Sequence, residues 1–422
     1  MHSLTELIKE DMRPALGVTE PGAIAYAVAS ARDCLIGEVD SILVELNSGM
    51  YKNAYTCGIP GSRYVGNLYA AAFGAICAKA EQKLECLSNI TEEDEKKAER
   101  MIRENQVRVK LDSISSKIFI RATVRSGDDV ACVTVRDAHT NIVRIEKNGN
   151  VLFEKAVAGT DGEQVVPTIH KYTLAQLVEY AKTVPLEEIS FIESAYETNM
   201  ALFEEGLHSD KTSFAKYLYA QNGQQVISED EEKTAQLLCN AAIEARVIGL
   251  DQAAMSITGS GAHGIIATLP LYAVCKTNHY TDEQLLRATA LSYLVCMYIK
   301  EYSGKLSAFC GCAIAAGTGM ACGLVLLKQG SVEQMVHVIN NMASSITGMI
   351  CDGGNQGCTM KGVVAVSAAF ASVRMAMQGV YIEDVHGING STPEKTMKNM
   401  GMIASPGMEK TEDTILDILK KK

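Results

Sequence analysis

Between residues 106 and 155 the hydrophobic pattern changes from helical spacing to strict alternation, and no other feature of the chain restricts its fold as strongly. VRVKL, KIFIRATVR, VACVTVRD, NIVRIEKN and VLFEKAV are short runs rich in Val and Ile, with SGDD at 126–129 and NGN at 148–150 as turns. Strands this closely spaced leave no room for helical crossovers. They predict an antiparallel meander and exclude a doubly wound parallel sheet. Residues 41–47 (SILVELN) alternate in the same way and predict one more strand.

Helical periodicity flanks this region on both sides. Residues 3–12 and 22–36 predict helices, interrupted by RPALGVTEPG, whose Pro14, Gly17, Pro21 and Gly22 mark a structured turn. Helices are also predicted over 62–82 and 91–105, the second with Thr91 as its cap. Residues 158–171 read as a linker, and helical spacing dominates from 172 onward. Only 8 prolines interrupt the 422 residues, which favours long helices. The expected fold class is α+β: a large, mostly helical catalytic body with a smaller antiparallel-sheet α+β module. The expected organisation is a helical segment of that body at 1–39 carrying the GVTEP turn, the module at 40–160, and a helical domain at 172–422.

A hydrophobic content of 47% suffices for a sizeable core. The net charge of -11 argues against a nucleic-acid partner, which would need a basic face. The start, MHSLTELIKEDMRP, has no apolar stretch of signal-peptide length. VVAVSAAFASV at 363–373 is too short to span a bilayer. A cytoplasmic protein with no membrane partner is expected. Its 13 cysteines are then not a disulfide framework. Cys34, Cys77, Cys132, Cys239, Cys275 and Cys296 sit singly in apolar runs and read as small core residues.

The segment 303–362 is richest in chemistry. It holds Cys310, Cys312 and Cys322 in SAFCGCAIAAGTGMACG, then Cys351 and Cys358 around DGGNQG. Paired CxxC knuckles are absent, which excludes a zinc ribbon and a thioredoxin-like motif. Three thiolates at element ends, with free backbone N–H groups in the intervening loop, suit a cubane iron–sulfur cluster whose fourth iron stays open. Core cysteines on Ala-rich helices are the alternative.

The segments ALGVTEPGAIAYA, DAHTNIVRIE, GSGAHGIIATLP, KLSAFCGCAIAAGTG and GMICDGGNQGCTMK occur in order across nearly the whole chain. Together they resemble the L-cysteine desulfidase family, which is related to the α-chain domain of iron–sulfur L-serine dehydratases. The resemblance implies a [4Fe–4S] cluster on Cys310, Cys351 and Cys358, with Cys312 competing for the first place. It implies α,β-elimination from a small amino acid without pyridoxal phosphate, and a homodimer. The open iron would bind carboxylate and leaving group while a base removes the α-proton.

Two departures bear on the base and the substrate. Val18 stands where the family's first motif usually reads GCTEP, and Ala262-His263 where another usually ends SGNQG. The candidate catalytic residues are His263, an imidazole expected to titrate near about 6.5, Cys57, whose thiol a nearby helix start would lower, His139 and Glu20. Glu20 either supports another site residue or contacts the substrate amine. The candidate substrate-binding residues are Thr19, Lys52 as a carboxylate ligand, Asn53, Asn141, and Ser260 and Gly261 as hydroxyl and backbone donors. Both departures remove polar groups, so a substrate with a larger or more apolar β-portion than cysteine is expected. Elimination of water from a hydroxylated amino or hydroxy acid is the second enzymatic reading. A non-catalytic iron–sulfur sensor or binding protein is the reading from another class.

Overall fold

The structure, a computed structural model, describes residues 2–155 and 166–422. Eight strands fall within them: β1 (Arg13–Leu16), β2 (Ser41–Asn47), β3 (Val107–Ser113), β4 (Phe119–Ser126), β5 (Asp129–Arg136), β6 (Ile142–Lys147), β7 (Asn150–Glu154) and β8 (Ala253–Ser256). Helices make up most of the rest, so the class is α+β as expected.

Six strands form one sheet in the order β3-β2-β4-β5-β6-β7. From β4 to β7 the predicted antiparallel meander is present. β3 departs from it: the earlier strand β2 lies between β3 and β4, and pairs with β3 in parallel. The helix Glu92–Arg103 makes this possible by carrying the chain back across the sheet before β3. It begins at Thr91 with the predicted cap, Thr91 accepting from Asp94 N–H in a reciprocal capping box.

Alternation then sorts the sheet's faces. Ile42, Val124 and Ala131 form one row across β2, β4 and β5; Val44, Ala122 and Val133 form the next; Leu46, Ile120 and Val135 the third. All nine are at most 2% exposed. Helices Thr19–Arg32 and Gly66–Ile76 pack on the sheet. The RPAL segment, expected as part of a turn, is the short strand β1. It pairs antiparallel with β8 and ties the N-terminus to the helical body.

That body is organised around the buried helix Glu231–Ile248, which touches helices Glu193–His208, Phe214–Gln221, Gly261–Thr277 and Gly357–Ala376. Asp230 caps its start, and Gly249, at φ +81°, closes its end in the left-handed conformation that glycine adopts without cost. Small residues let the helices approach closely. A Cβ on Gly319 would stand 2.2 Å from the Ser292 carbonyl of helix Asp282–Ser303, and one on Gly206 2.4 Å from the Ala241 carbonyl. The run at 363–373, read from sequence as too short to span a membrane, belongs to the longer helix Gly357–Ala376. By length and composition that helix could cross a bilayer, yet it packs against Glu231–Ile248 and Val332–Ile346.

All 13 cysteines are free thiols. Cys239, Cys275 and Cys296 are fully buried as expected, whereas Cys34, Cys77 and Cys132 are only half-buried. Residues 158–165 of the expected linker, and the ends of the last predicted strand and of the 40–160 module, lie outside the described residues.

Gly319→Ala must push two rigid helix backbones apart and should cost about 1–3 kcal/mol. Thermal unfolding monitored by circular dichroism should show a lowered Tm. Gly348→Ala, whose added methyl meets nothing within 4 Å, should leave it nearly unchanged.

Candidate active site

The TEP turn opens helix Thr19–Arg32, with Glu20 in its first turn, where the helix N-terminus favours negative charge. Glu20 is only 4% exposed. Its Oε1 accepts from Asn53 Nδ2 at 2.9 Å, and its Oε2 from the Thr19 hydroxyl at 3.1 Å. His139 Nε2, from the turn between β5 and β6, stands 3.8 Å from Oε1. That is beyond hydrogen-bond range, so its influence is electrostatic, and Nε2 has no hydrogen-bond partner. Burial alone would raise the Glu20 pKa. His139, the Asn53 amide and the Arg246 charge outweigh it and hold the carboxyl at about 2.

A second loop faces this turn. Thr258 and Gly259 both have positive φ, +53° and +77°, and for a β-branched threonine that is strained backbone of a kind that clusters at functional sites. The loop delivers Ser260 as N-cap of helix Gly261–Thr277, with no capping bond from its side chain. Thr19 Oγ1 reaches the Gly259 carbonyl at 3.3 Å, and a Cβ on Gly259 would lie 3.5 Å from His139 Cε1. Arg246, one turn before the end of helix Glu231–Ile248, runs past Gly261, where a Cβ would stand 2.6 Å from Nε.

His263 follows in the same helix, 5% exposed, with Nδ1 paired to the Thr258 hydroxyl. Its Nε2 lies against Gly311, between Cys310 and Cys312. Burial, with the charges of Lys300 and Arg246, pushes its pKa well below the ordinary imidazole value. The expectation of titration near neutrality is therefore corrected: the imidazole stays neutral there.

The thiols converge from three segments. An isolated bridge joins Phe309 to Ile350; Cys310 N–H donates to Met349 O at 3.0 Å and Cys351 N–H to Ala308 O at 2.6 Å. Cys351 therefore lies in an extended stretch five residues past its helix, not at the helix end as expected. Cys358 is the second residue of Gly357–Ala376, its thiol donating to Gly353 O at 3.4 Å. Residues Cys312–Ala316 are wound as a π-turn, a widening often found at functional sites.

Lys361, held charged by Asp352 despite burial, is within electrostatic range of Cys310, Cys351 and Cys358. The neighbouring Cys312 thiol pulls Cys310 down to about 7, aided by Ala313 N–H and Lys361 against the effect of burial. The same contact pushes Cys312 well up. Among the described residues no three His, Cys, Asp or Glu side chains close on one point as ligands of a single metal ion do. A cubane is held at separate corners by thiolates, and a convergent thiol set beside lysine charges fits that group rather than a single ion.

The two halves meet at Asn53, whose Nδ2 holds Glu20 and whose Oδ1 accepts from Cys351 Sγ at 3.8 Å. Val18 closes the junction: a Cβ on Gly354, in the loop between Cys351 and Cys358, would touch Val18 Cγ1 at 2.9 Å.

Three sequence candidates take other duties. Lys52 is 1% exposed and spends all three donors on Ser307 O (3.1 Å), Cys351 O (2.8 Å) and Glu412 Oε2 (2.9 Å). It clamps a cysteine backbone to the C-terminal helix Glu409–Leu419 and has no donor left for a carboxylate. Asn141 donates to Arg136 O and accepts from Lys155 Nζ, both 2.9 Å, which commits its amide to its own turn. Cys57 is fully buried, and burial with the Glu20 charge pushes its thiol up rather than down.

Arg246, Lys300 and Lys361 were missed. Lys300 is 5% exposed, and burial pulls its pKa down to about 8. The available signal was a lone basic residue inside an otherwise apolar helix, as in NAAIEARVI and YLVCMYIK.

The site thus gathers thiols beside a buried carboxylate, imidazole and guanidinium on an α+β fold. Residues 81–417 match the serine dehydratase alpha chain family, and the chain belongs to it. It is 39% identical over 422 residues to a UPF0597 protein of Clostridium botulinum, covering 99% of this chain and 98% of that one. A UPF0597 protein of Caldanaerobacter subterraneus is 38% identical, with 99% and 98% covered. One of Bacteroides fragilis is 34% identical, with 99% and 97% covered.

Glu20 is held below its unfolded value, so it stabilises the fold above about pH 4.5, and that contribution is lost as pH falls toward 2. It should amount to about 3 kcal/mol at neutral pH. Acid titration of stability should show a shallower loss between pH 5 and 2 in Glu20→Gln than in the native chain. Lys52→Met strands the buried Glu412 and should cost about 3–5 kcal/mol. Urea unfolding should show the loss, partly recovered in Lys52→Met/Glu412→Leu.

Proposed function

We propose that this protein is an iron–sulfur-dependent lyase that eliminates the β-substituent of a small amino acid. The observation that carries the reading is Asn53, one amide touching both the Cys351 thiol and the ionised Glu20. It puts the thiol group and the polar residues at one centre. Cys310, Cys351 and Cys358 would hold a [4Fe–4S] cluster; the backbone pairing that sets Cys310 beside Cys351 supports it over Cys312 as ligand. When bound, the cluster supplies a Lewis-acidic iron for the leaving group.

The chain's own residues supply the rest. Glu20, kept ionised, binds the substrate ammonium. His139, with Nε2 free of hydrogen bonds beside Glu20, accepts the α-proton. His263 stays neutral and orients Gly311 between the cysteines. Val18 gives the site an apolar wall where a thiol would otherwise serve, so L-cysteine is turned over poorly and a larger β-portion is preferred.

Protein purified without oxygen should be brown, with about four irons per chain. Cys310→Ser, Cys351→Ser and Cys358→Ser should each abolish the visible absorbance, and Cys312→Ser should not. His139→Gln should lower kcat about 100- to 10,000-fold with iron content unchanged. Full iron content in the Cys351 variant, or an unchanged kcat in the His139 variant, contradicts the corresponding assignment. Formation of 2-oxo acid across a panel of amino acids identifies the substrate.

A further inference from the structure

Arg246 is a buried guanidinium at this centre, 4% exposed, whose Nε finds no acceptor among the described residues. A guanidinium keeps its proton in proteins, so burial cannot be relieved by neutralising it. The effective penalty for such a buried ion is several kcal/mol unless an anion meets it. Glu20 is near enough to be felt, but it joins Arg246 in neither a hydrogen bond nor a salt bridge, its nearest donors being Asn53 and Thr19.

What surrounds Arg246 points to an anion of a particular shape. Its Nε lies against Gly261, the first residue of the 17-residue helix Gly261–Thr277. The first backbone N–H groups of a helix have no partners within it and favour negative charge. Ser260, half-buried at that terminus, keeps its hydroxyl off the helix cap. His139 Nε2, the second unpartnered buried nitrogen here, sits across Gly259 from the same loop. A planar fork of donors beside a helix N-terminus matches a carboxylate held by two oxygens.

We propose that Arg246, with the N-terminus of helix Gly261–Thr277, is the receptor for the substrate's carboxylate. It takes the part that Lys52 suggests in the sequence and that Lys52, tied to Glu412, does not play. The ligand's class rests on the lyase reading above. With Glu20 on the ammonium, the α-carbon is fixed at two points and the α-hydrogen is turned toward His139. Arg246 is a binding and positioning residue and takes no proton.

Ligand-induced thermal shift and calorimetry on the anaerobic holoprotein test this, using the protein amino acids and the carboxamide of each that binds. In the native chain the carboxamide should bind at least about 30-fold more weakly than the acid. In Arg246→Met that difference should vanish. In Arg246→Lys, which keeps the charge and loses the fork, it should shrink. A native protein that binds none of the amino acids, or an Arg246→Met variant that still tells acid from carboxamide, overturns the assignment. Carboxylate binding that depends on Arg246 without any elimination refutes the lyase reading and leaves this one standing. Elimination with unchanged KM in Arg246→Met does the reverse.

Discussion

A carboxylate with almost no access to water has to be surrounded by donors and positive charge, and Glu20 collects them from distant parts of the chain. Asn53 comes from the short helix after β2, His139 from the β5–β6 turn, Arg246 from the central helix of the body. Each sits where it does because an ionised group in a low-dielectric interior is tolerated only when hydrogen bonds and opposite charge replace its hydration. The sheet and the helical body are thus registered against each other at this point. The small β1–β8 ladder, just before the TEP turn on one side and the Thr258 loop on the other, holds the two in line.

The thiols depend on a similar exchange. Cys310 and Cys351 are brought side by side by backbone pairing at Phe309 and Ile350, and Lys52 fastens the Cys351 carbonyl to the C-terminal helix. Lys300 and Lys361 place positive charge where thiolates would otherwise repel one another. Apolar side chains alone could have filled the volume, but they supply no charge to offset that of neighbouring thiolates.

Much of this was legible in the chain. The alternating runs after residue 106 specify strands because period-two patterning has only one buried face to offer. Thr91 punctuates its helix through local bonding. The motifs that carry Glu20, Asn53, His139, Ser260 and the cysteines were each visible as short strings, and the structure gathers them. Where expectation and structure part, the cause is non-local. β2 inserts between β3 and β4 because the predicted helix after Thr91 returns the chain across the sheet, and its periodicity says nothing of which strand the next one will pair with. His263 and Cys57 carry ordinary titrating groups, but burial moved both away from the values that would suit a base.

Residue order therefore determined the class of fold, the helix starts and stops, and the set of short segments from which the site is built, since those rest on local periodicity and backbone chemistry. Which lysine is tied down, which thiol is lowered, and which arginine lacks a hydrogen bond were decided only by tertiary packing. Charge energetics depend on distance and dielectric between residues hundreds of positions apart, such as Lys52 and Glu412, and no local pattern encodes either quantity.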